Sequence, residues 1–253
     1  MTERALFDWL LWGWTALAVV VFIALFFVSA PYGRHSRPGW GPSVPPRLGW
    51  FLMETPSWVV LTACLLARSR PVDPAAGALY AVWVAHYVYR SMIYPLTIDP
   101  ASRRMPLAVA VMGGGFNLVN AYLNGRWLFE FGPVRPVEWL WSAPFVAGIA
   151  LMVLGFALGV WSDRILRQAR AASGGRYVVP SRGLYSLVSC PNYLGEILEW
   201  AGFAFAAWSL PGLSFALWTV ANLAPRAASH HRWYRATFAE YPANRRRLVP
   251  FVL

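Results

Sequence analysis

PNYLGEILEWAGFAFAAWSLPGLSFALWTVANLAP, Pro191 to Pro225, sets an asparagine and two glutamates directly ahead of 26 uncharged residues, Trp200–Pro225. About 20 apolar residues cross the hydrocarbon of a bilayer as a helix, so the run reads as membrane-embedded. WSLPG, Trp208–Gly212, is a turn signal that divides the stretch and its continuation into two helices. Pro191 suits a first helical position, with Ser189 or Cys190 as the cap. Asn192, Glu196 and Glu199 then fall at i, i+4 and i+7, on one helical face. Carboxylates at the edge of a bilayer are costly unless paired. The face therefore either pairs with arginines for structure or helps a helix N-terminus hold an anion or a carboxamide.

Read outward, the same logic gives five more runs: Trp9–Gly33, Thr55–Ala67, Pro74–Ile98 (interrupted by Arg90), Met105–Gly125 and Trp139–Ser162. Trp9–Gly33 is too long for the apolar core of a signal peptide, about 7–15 residues, and reads as a first transmembrane helix. Thr55–Ala67 has only 13 residues and reads as a tilted or partly embedded helix. The expected fold is an all-α integral membrane protein, a bundle of seven transmembrane helices, with six as the alternative count. With the N-terminus outside and the C-terminus in the cytoplasm, 16 of the 22 arginines lie inside, five outside, and Arg90 within the membrane. That bias fits the positive-inside rule. Asp163–Ser189 is the longest polar connection, no internal repeat stands out, and 1–253 reads as one membrane domain.

Composition agrees. The chain is 58% hydrophobic and 13% charged, where a soluble domain has roughly 25% charged residues. Its basic residues are all arginine, as in a GC-rich source. A formal charge of +11 would point to nucleic acid in a soluble protein. Here the arginines flank apolar runs and set topology, and no nucleic-acid partner is expected. Cys64 and Cys190 sit in unrelated contexts, so neither a disulfide framework nor a metal site is expected.

Ionisable residues inside a span mark function by default. In HYVYRSMIY, Tyr87, Arg90 and Tyr94 lie on one face beside His86, and Arg90 needs a carboxylate or an anion. Glu54, in GWFLMETPSW at the start of the short second run, is its natural partner. In SDRILRQAR, Asp163, Arg167 and Arg170 recur at i, i+4 and i+7, as a headgroup-facing basic helix or as a phosphate clamp. In RAASHHRWYRATFAEYP, Arg226, His230 and Tyr234 share a face, while the adjacent histidines point apart and form no metal pair. A basic cytoplasmic cluster and an intramembrane Glu/Tyr/Arg cluster together suit a phosphate-bearing cofactor and a lipophilic substrate.

These stretches, with GLYSLVSCPNYLGEILEWAGFAFAAWSLP and the terminal RRRLVPFVL, resemble the C-terminal region of the steroid 5α-reductase family over Gly155–Leu253. YGRH, WFLMETPSW and HYVYRSMIYP extend the likeness into the N-terminal half. The resemblance implies a seven-helix membrane enzyme; the expected setting is a monomer in a bacterial inner membrane, or in the endoplasmic reticulum membrane if the source is eukaryotic. It would use NADPH to reduce the carbon–carbon double bond of a 3-oxo-4-ene steroid. On it, residues 1–150 form the substrate pocket and 151–253 the NADPH-binding region. Glu54 and Tyr87 match the pair that polarises the substrate's 3-oxo group, with Met53 beside them; to donate a hydrogen bond, Glu54 would have to carry a proton. Asn192 and Glu196 match positions near the nicotinamide or its ribose. Asp163, Arg167, Arg170, Tyr177, Arg226, His230 and Tyr234 match further cofactor contacts. Tyr32, Arg34, Trp50 and Arg103 match loop positions over the adenine and phosphate end, and Arg90 and Tyr94 join the cofactor set. Glu199 is left as a structural pairing partner. The family's human steroid enzymes have glutamine where this chain has Met53 and asparagine where it has Gly159. Two other readings stay open: an isoprenylcysteine- or phospholipid-type methyltransferase using S-adenosylmethionine, and a reductase of another lipid enone or enoyl-CoA.

Overall fold

The computed structural model describes residues 2–28 and 39–252. Tyr32 and Arg34 lie outside the described residues. The chain divides into two compact units, one drawn from Met1–Gly13, Ala30–Phe145 and Ala207–Pro211, the other from Trp14–Ser29, Val146–Ala206 and Gly212–Leu253.

The helices are α1 (Glu3–Phe27), α2 (Pro46–Leu66), α3 (Pro74–Val88), α4 (Tyr94–Leu96), α5 (Leu107–Arg126), α6 (Ala143–Ala172), α7 (Pro191–Ala207) and α8 (Leu210–Thr237). A π-helical turn, Tyr89–Ile93, joins α3 to α4 without a break. Among the described residues the chain therefore makes seven helical rods. Three of them, α1, α2 and α6, have the length and hydropathy of membrane spans. The chain is a membrane protein, and the large apolar side chains on its surface, such as Trp9, Val20, Phe27 and Leu154, face a solvent that is not water.

In the first unit, Pro46 opens α2 at its first position, where a missing amide costs nothing. The helix thus begins nine residues ahead of the expected Thr55, and its 21 residues make a full-length rod rather than a short one. Arg47 and Glu54 are part of it. Arg47 satisfies its guanidinium on the carbonyls of Leu96 and Ile98, at 2.9–3.3 Å. Asp73 caps α3 by accepting from the Ala76 amide at 2.8 Å, just ahead of Pro74. A two-residue antiparallel ladder, β1 (Ser43–Val44) with β2 (Met105–Pro106), pins the entry of α2 to the start of α5. α2 and α5 then approach closely: a Cβ on Gly125 would lie 2.8 Å from Cys64 Cβ, and one on Gly113 would overlap Met53. Arg126 closes the end of α5 with a two-pronged pair to Glu3 of α1, both contacts 2.8 Å.

In the second unit, α6 continues ten residues past Ser162, so the first part of the expected polar connection is helix. Its residues there (Asp163 to Ala172) are mostly good helix formers, and only their polarity marked them as a loop. Gly148 and Gly155 of α6 meet Gly202 and Gly195 of α7 backbone to backbone; a Cβ on Gly155 would lie 2.4 Å from the Glu199 nitrogen. Small residues at helix contacts replace hydrophobic burial as the means of association in lipid. The expected break at WSLPG is present: Trp208 takes a left-handed φ of 44° between α7 and α8. Ser189 does not serve as the side-chain cap of α7. Its hydroxyl lies 2.6 Å from Tyr241 Oη and 2.7 Å from His231 Nδ1, tying the C-terminal tail to the loop before α7. The tail adds Arg246 N to the Leu187 carbonyl at 2.8 Å and buried Arg245 to the Pro180 carbonyl at 3.0 Å.

Candidate functional site

Three helices of the first unit bring polar groups together in an apolar core. α2 supplies Glu54, α3 supplies Tyr87 and α5 supplies Asn117, with fractional exposures of 8%, 3% and 4%. The Tyr87 hydroxyl donates to Asn117 Oδ1 at 3.2 Å. Asn117 Nδ2 donates to Glu54 Oε2 at 3.2 Å and to the Met53 carbonyl at 2.7 Å. The other carboxylate oxygen, Oε1, faces Arg90 Nη2 at 3.7 Å, the pairing expected from sequence.

The π-helical turn explains how Arg90 gets there. An i→i+5 turn inserts one residue into the helix, re-aims the side chains around it and is common at functional sites. The Arg90 guanidinium sits 4.5 Å from the Trp50 ring and 4.8 Å from the Tyr94 ring, which meet edge-on at 4.9 Å. Two aromatic faces and a carboxylate thus hold a cation where water is scarce. The turn also redirects the Tyr87 carbonyl, which accepts from Ser91 Oγ at 2.7 Å, and Trp58 Nε1 donates to that hydroxyl at 3.3 Å. His86 and Trp83 pack on the Tyr87 ring at 4.9 and 5.4 Å. Met53, Glu54, Tyr87, Arg90, Trp50 and Tyr94 are therefore one cluster. Arg103 is exposed in the loop between α4 and β2.

The second unit carries nine of the expected cofactor residues: Asp163, Arg167 and Arg170 late in α6, Tyr177 in the loop that follows, Asn192 and Glu196 early in α7, and Arg226, His230 and Tyr234 in the second half of α8. Asn192 Nδ2 donates to Asp163 Oδ1 at 3.0 Å, joining α7 to α6. Arg170 lies over the Tyr177 ring at 4.9 Å, Tyr177 packs on Trp233 at 5.3 Å, and Trp233 on Tyr234 at 5.2 Å. His230 stands 3.9 Å from Cys190 Sγ and 5.6 Å from the Tyr193 ring. Among the described residues, the buried polar atoms of this unit that meet no hydrogen-bond partner include Ser162 Oγ, Arg170 Nε, Tyr185 Oη and Arg245 Nε. Burial and then the Asp163 carboxylate push the Tyr185 phenol well above its ordinary range. A buried donor left without a partner costs about 1–3 kcal/mol, so such a set fits a ligand rich in acceptors. The donors present, arginines for phosphate and Asn192 for an amide or hydroxyl, suit a phosphorylated dinucleotide.

The sequence family described as 3-oxo-5-alpha-steroid 4-dehydrogenase matches residues 103–253. Over 99% of both chains, the protein is 38% identical to Steroid 5-alpha-reductase DET2 of Gossypium hirsutum. The Arabidopsis thaliana protein of that name is 39% identical over 91% of this chain and 90% of its own. 3-Oxo-5-alpha-steroid 4-dehydrogenase 1 of Mus musculus is 38% identical over 100% of this chain and 99% of its own. The chain belongs to the steroid 5α-reductase family. It is accordingly an oxidoreductase acting on CH–CH bonds, and the likeness runs the whole length of the chain rather than chiefly over Gly155–Leu253.

Beside the family-matched positions stand residues that sequence reasoning misses. Asn117 begins a series with Asn120 and Asn124, at i, i+3 and i+7 in a helix uncharged up to its terminal Arg126, and that spacing is a usable signal. The glycines of α6 and α7, each pair seven residues apart, are another. Nothing in local sequence marks Tyr185 or the Ser189–His231–Tyr241 node, because each depends on residues brought together from distant parts of the chain. In that node, burial and then Arg235 push the His231 imidazole below its ordinary range. Burial pushes the Tyr241 phenol up.

Proposed function

We propose that this steroid 5α-reductase family member reduces the 4,5 double bond of a 3-oxo-4-ene steroid, of the testosterone or progesterone kind, with NADPH as reductant. The observation that carries the reading is the buried Glu54–Asn117–Tyr87 group inside apolar helices. Polar atoms in such a setting are costly unless they serve a polar ligand. The substrate's 3-oxo group is placed against the Tyr87 hydroxyl, with Glu54 and Met53 beside it. NADPH, when bound, supplies the hydride that goes to the β-carbon of the enone. The protein stabilises the enolate-like charge that then builds on the ketone oxygen, through a hydrogen bond aimed at it. One proton at the α-carbon completes the saturated ketone and NADP+. Arg90, held against the Trp50 and Tyr94 rings, fixes Glu54.

The residues proposed to hold NADPH are Asp163, Arg167, Arg170, Tyr177, Asn192, Glu196, Arg226, His230 and Tyr234, with Arg103, Tyr32 and Arg34 at the adenine and phosphate end. The arginine distribution supports seven spans and an outside N-terminus. The proposed setting is a monomer in a bacterial inner membrane, or in the endoplasmic reticulum if the source is eukaryotic. A methyltransferase has no use for an enone-polarising pair. Incubating the purified protein in detergent with NADPH and testosterone, and following the 5α product by mass spectrometry, tests the proposal directly. Absence of that product across 3-oxo-4-ene steroids rejects it.

Two variants probe the cofactor region. Glu196→Ala is expected to weaken NADPH binding about tenfold, the equivalent of roughly 1.4 kcal/mol, with kcat at saturating NADPH little changed. An unaltered fluorescence titration removes Glu196 from the site. Gly159→Asn is expected to tighten NADPH several-fold. A Cβ at Gly159 meets only the Asn192 carbonyl oxygen, at 3.8 Å, so the family's asparagine has room to enter. Weaker binding in this variant would show that the position is closed to a side chain.

A further inference from the structure

Asn117 does more than fill a hydrogen-bonding gap. A carboxamide has one accepting and one donating end, and its orientation decides what each neighbour must do. Here the orientation is fixed from outside the pair, because the Met53 carbonyl can only accept and takes an Nδ2 hydrogen at 2.7 Å. Turning the amide over would set Oδ1 against that carbonyl. With the amide so held, its second Nδ2 hydrogen goes to Glu54 Oε2, and its Oδ1 requires the Tyr87 hydroxyl to donate. The other Glu54 oxygen, Oε1, faces Arg90, which carries donors and no acceptor. Both carboxylate oxygens thus look at N–H groups, which leaves the Tyr87 O–H as the donor of the pair.

We propose that Asn117 is a positioning residue that assigns the two roles, holding Glu54 as acceptor and aiming the Tyr87 hydroxyl that hydrogen-bonds the substrate ketone. The inference rests on the proposed steroid reduction and deepens it. In this structure the hydrogen rests on Asn117 Oδ1. A ketone oxygen arriving beside Tyr87 competes for it, and because the Asn117 contact has already set where the phenol oxygen stands, only the O–H has to turn. Asn117 touches neither substrate nor cofactor in this scheme and acts only through Tyr87 and Glu54. The charged and titratable groups linked to it through these contacts, among the described residues, are Glu54 on α2, Tyr87 and His86 on α3, and Arg90 in the π-helical turn.

The test is a double-mutant cycle on turnover. Wild type, Asn117→Leu, Tyr87→Phe and the double variant are assayed with NADPH and testosterone, with NADPH affinity titrated in parallel. Asn117→Leu is expected to lower kcat about 100-fold, the scale of a misplaced catalytic group, with NADPH affinity unchanged. In the Tyr87→Phe background the same substitution should cost no more than about threefold, since the hydroxyl it positions is already gone. A merely structural Asn117 would instead lower kcat by the same factor in both backgrounds, and that result overturns the proposal. So does an active wild type whose Asn117→Leu variant turns over normally. If Asn117→Leu does not fold, Asn117→Gln, which keeps the amide but displaces it by one methylene, is read in the same cycle. A wild type that binds NADPH yet reduces no 3-oxo-4-ene steroid sinks the functional reading itself, and the role of Asn117 with it.

Discussion

Tyr87→Phe is expected to cut turnover of a 3-oxo-4-ene steroid by about 100- to 1,000-fold, the cost of losing one preorganised donor to a developing oxyanion. The phenyl ring keeps its packing on Trp83 and His86, so the core retains its shape. What is lost is the O–H, and with it the group that meets negative charge on the ketone oxygen as hydride arrives. Removing it also leaves Asn117 Oδ1 without its donor, a stability cost of about 1–3 kcal/mol. NADPH affinity is expected to hold, because Tyr87 is not among its proposed ligands, most of which lie on α6, α7 and α8. Steady-state turnover and an NADPH titration on one preparation check both halves. A Phe variant within threefold of wild type would take Tyr87 out of the chemistry.

Much of this arrangement is legible in the sequence, for identifiable reasons. The WSLPG break needs only turn chemistry, and the α7 start only a proline in a place that tolerates it. The Arg90–Glu54 pair follows from the cost of a lone charge in lipid, which leaves few partners to choose among. The N-terminal end of α2 is misplaced from sequence because Arg47 and Glu54 look like the edge of a span. In the fold one binds carbonyls at and just past the end of α4 and the other is enclosed by α3 and α5, so neither has to reach water. The π-helical turn is invisible, since YRSMI carries no local signal for an extra residue and the turn is stabilised by the partners it serves. Asn117 escapes notice because asparagine carries no charge to explain, although a buried amide needs partners as much as a buried carboxylate does.

Substitution of Gly155 by alanine is expected to cost at least as much stability as loss of the Tyr87 hydroxyl. Its new Cβ would stand 2.4 Å from the Glu199 nitrogen, 2.5 Å from the Gly195 carbonyl oxygen and 2.8 Å from the Glu199 Cα. All three are backbone atoms, so no side chain can turn aside and the two helices must separate. Overpacking typically costs about 1–3 kcal/mol, and rigid neighbours put this case at the upper end. For a chain of this size that corresponds to a fall in melting temperature on the order of 10 °C. The loss should reach function as well. Asn192 of α7 and Asp163 of α6 meet at 3.0 Å, so helices held farther apart break that bond and, with it, the proposed nicotinamide end of the NADPH site. NADPH affinity in the variant is expected to fall at least about tenfold, roughly the value of one charge-assisted hydrogen bond. Gly13→Ala, on α1 with nothing within 4 Å of its Cβ, is the matched control. It should be neutral, or more stable by about 0.5–1 kcal/mol from helix propensity alone. Equal melting temperatures for the Gly155 and Gly13 variants would mean that α6 and α7 are not in backbone contact.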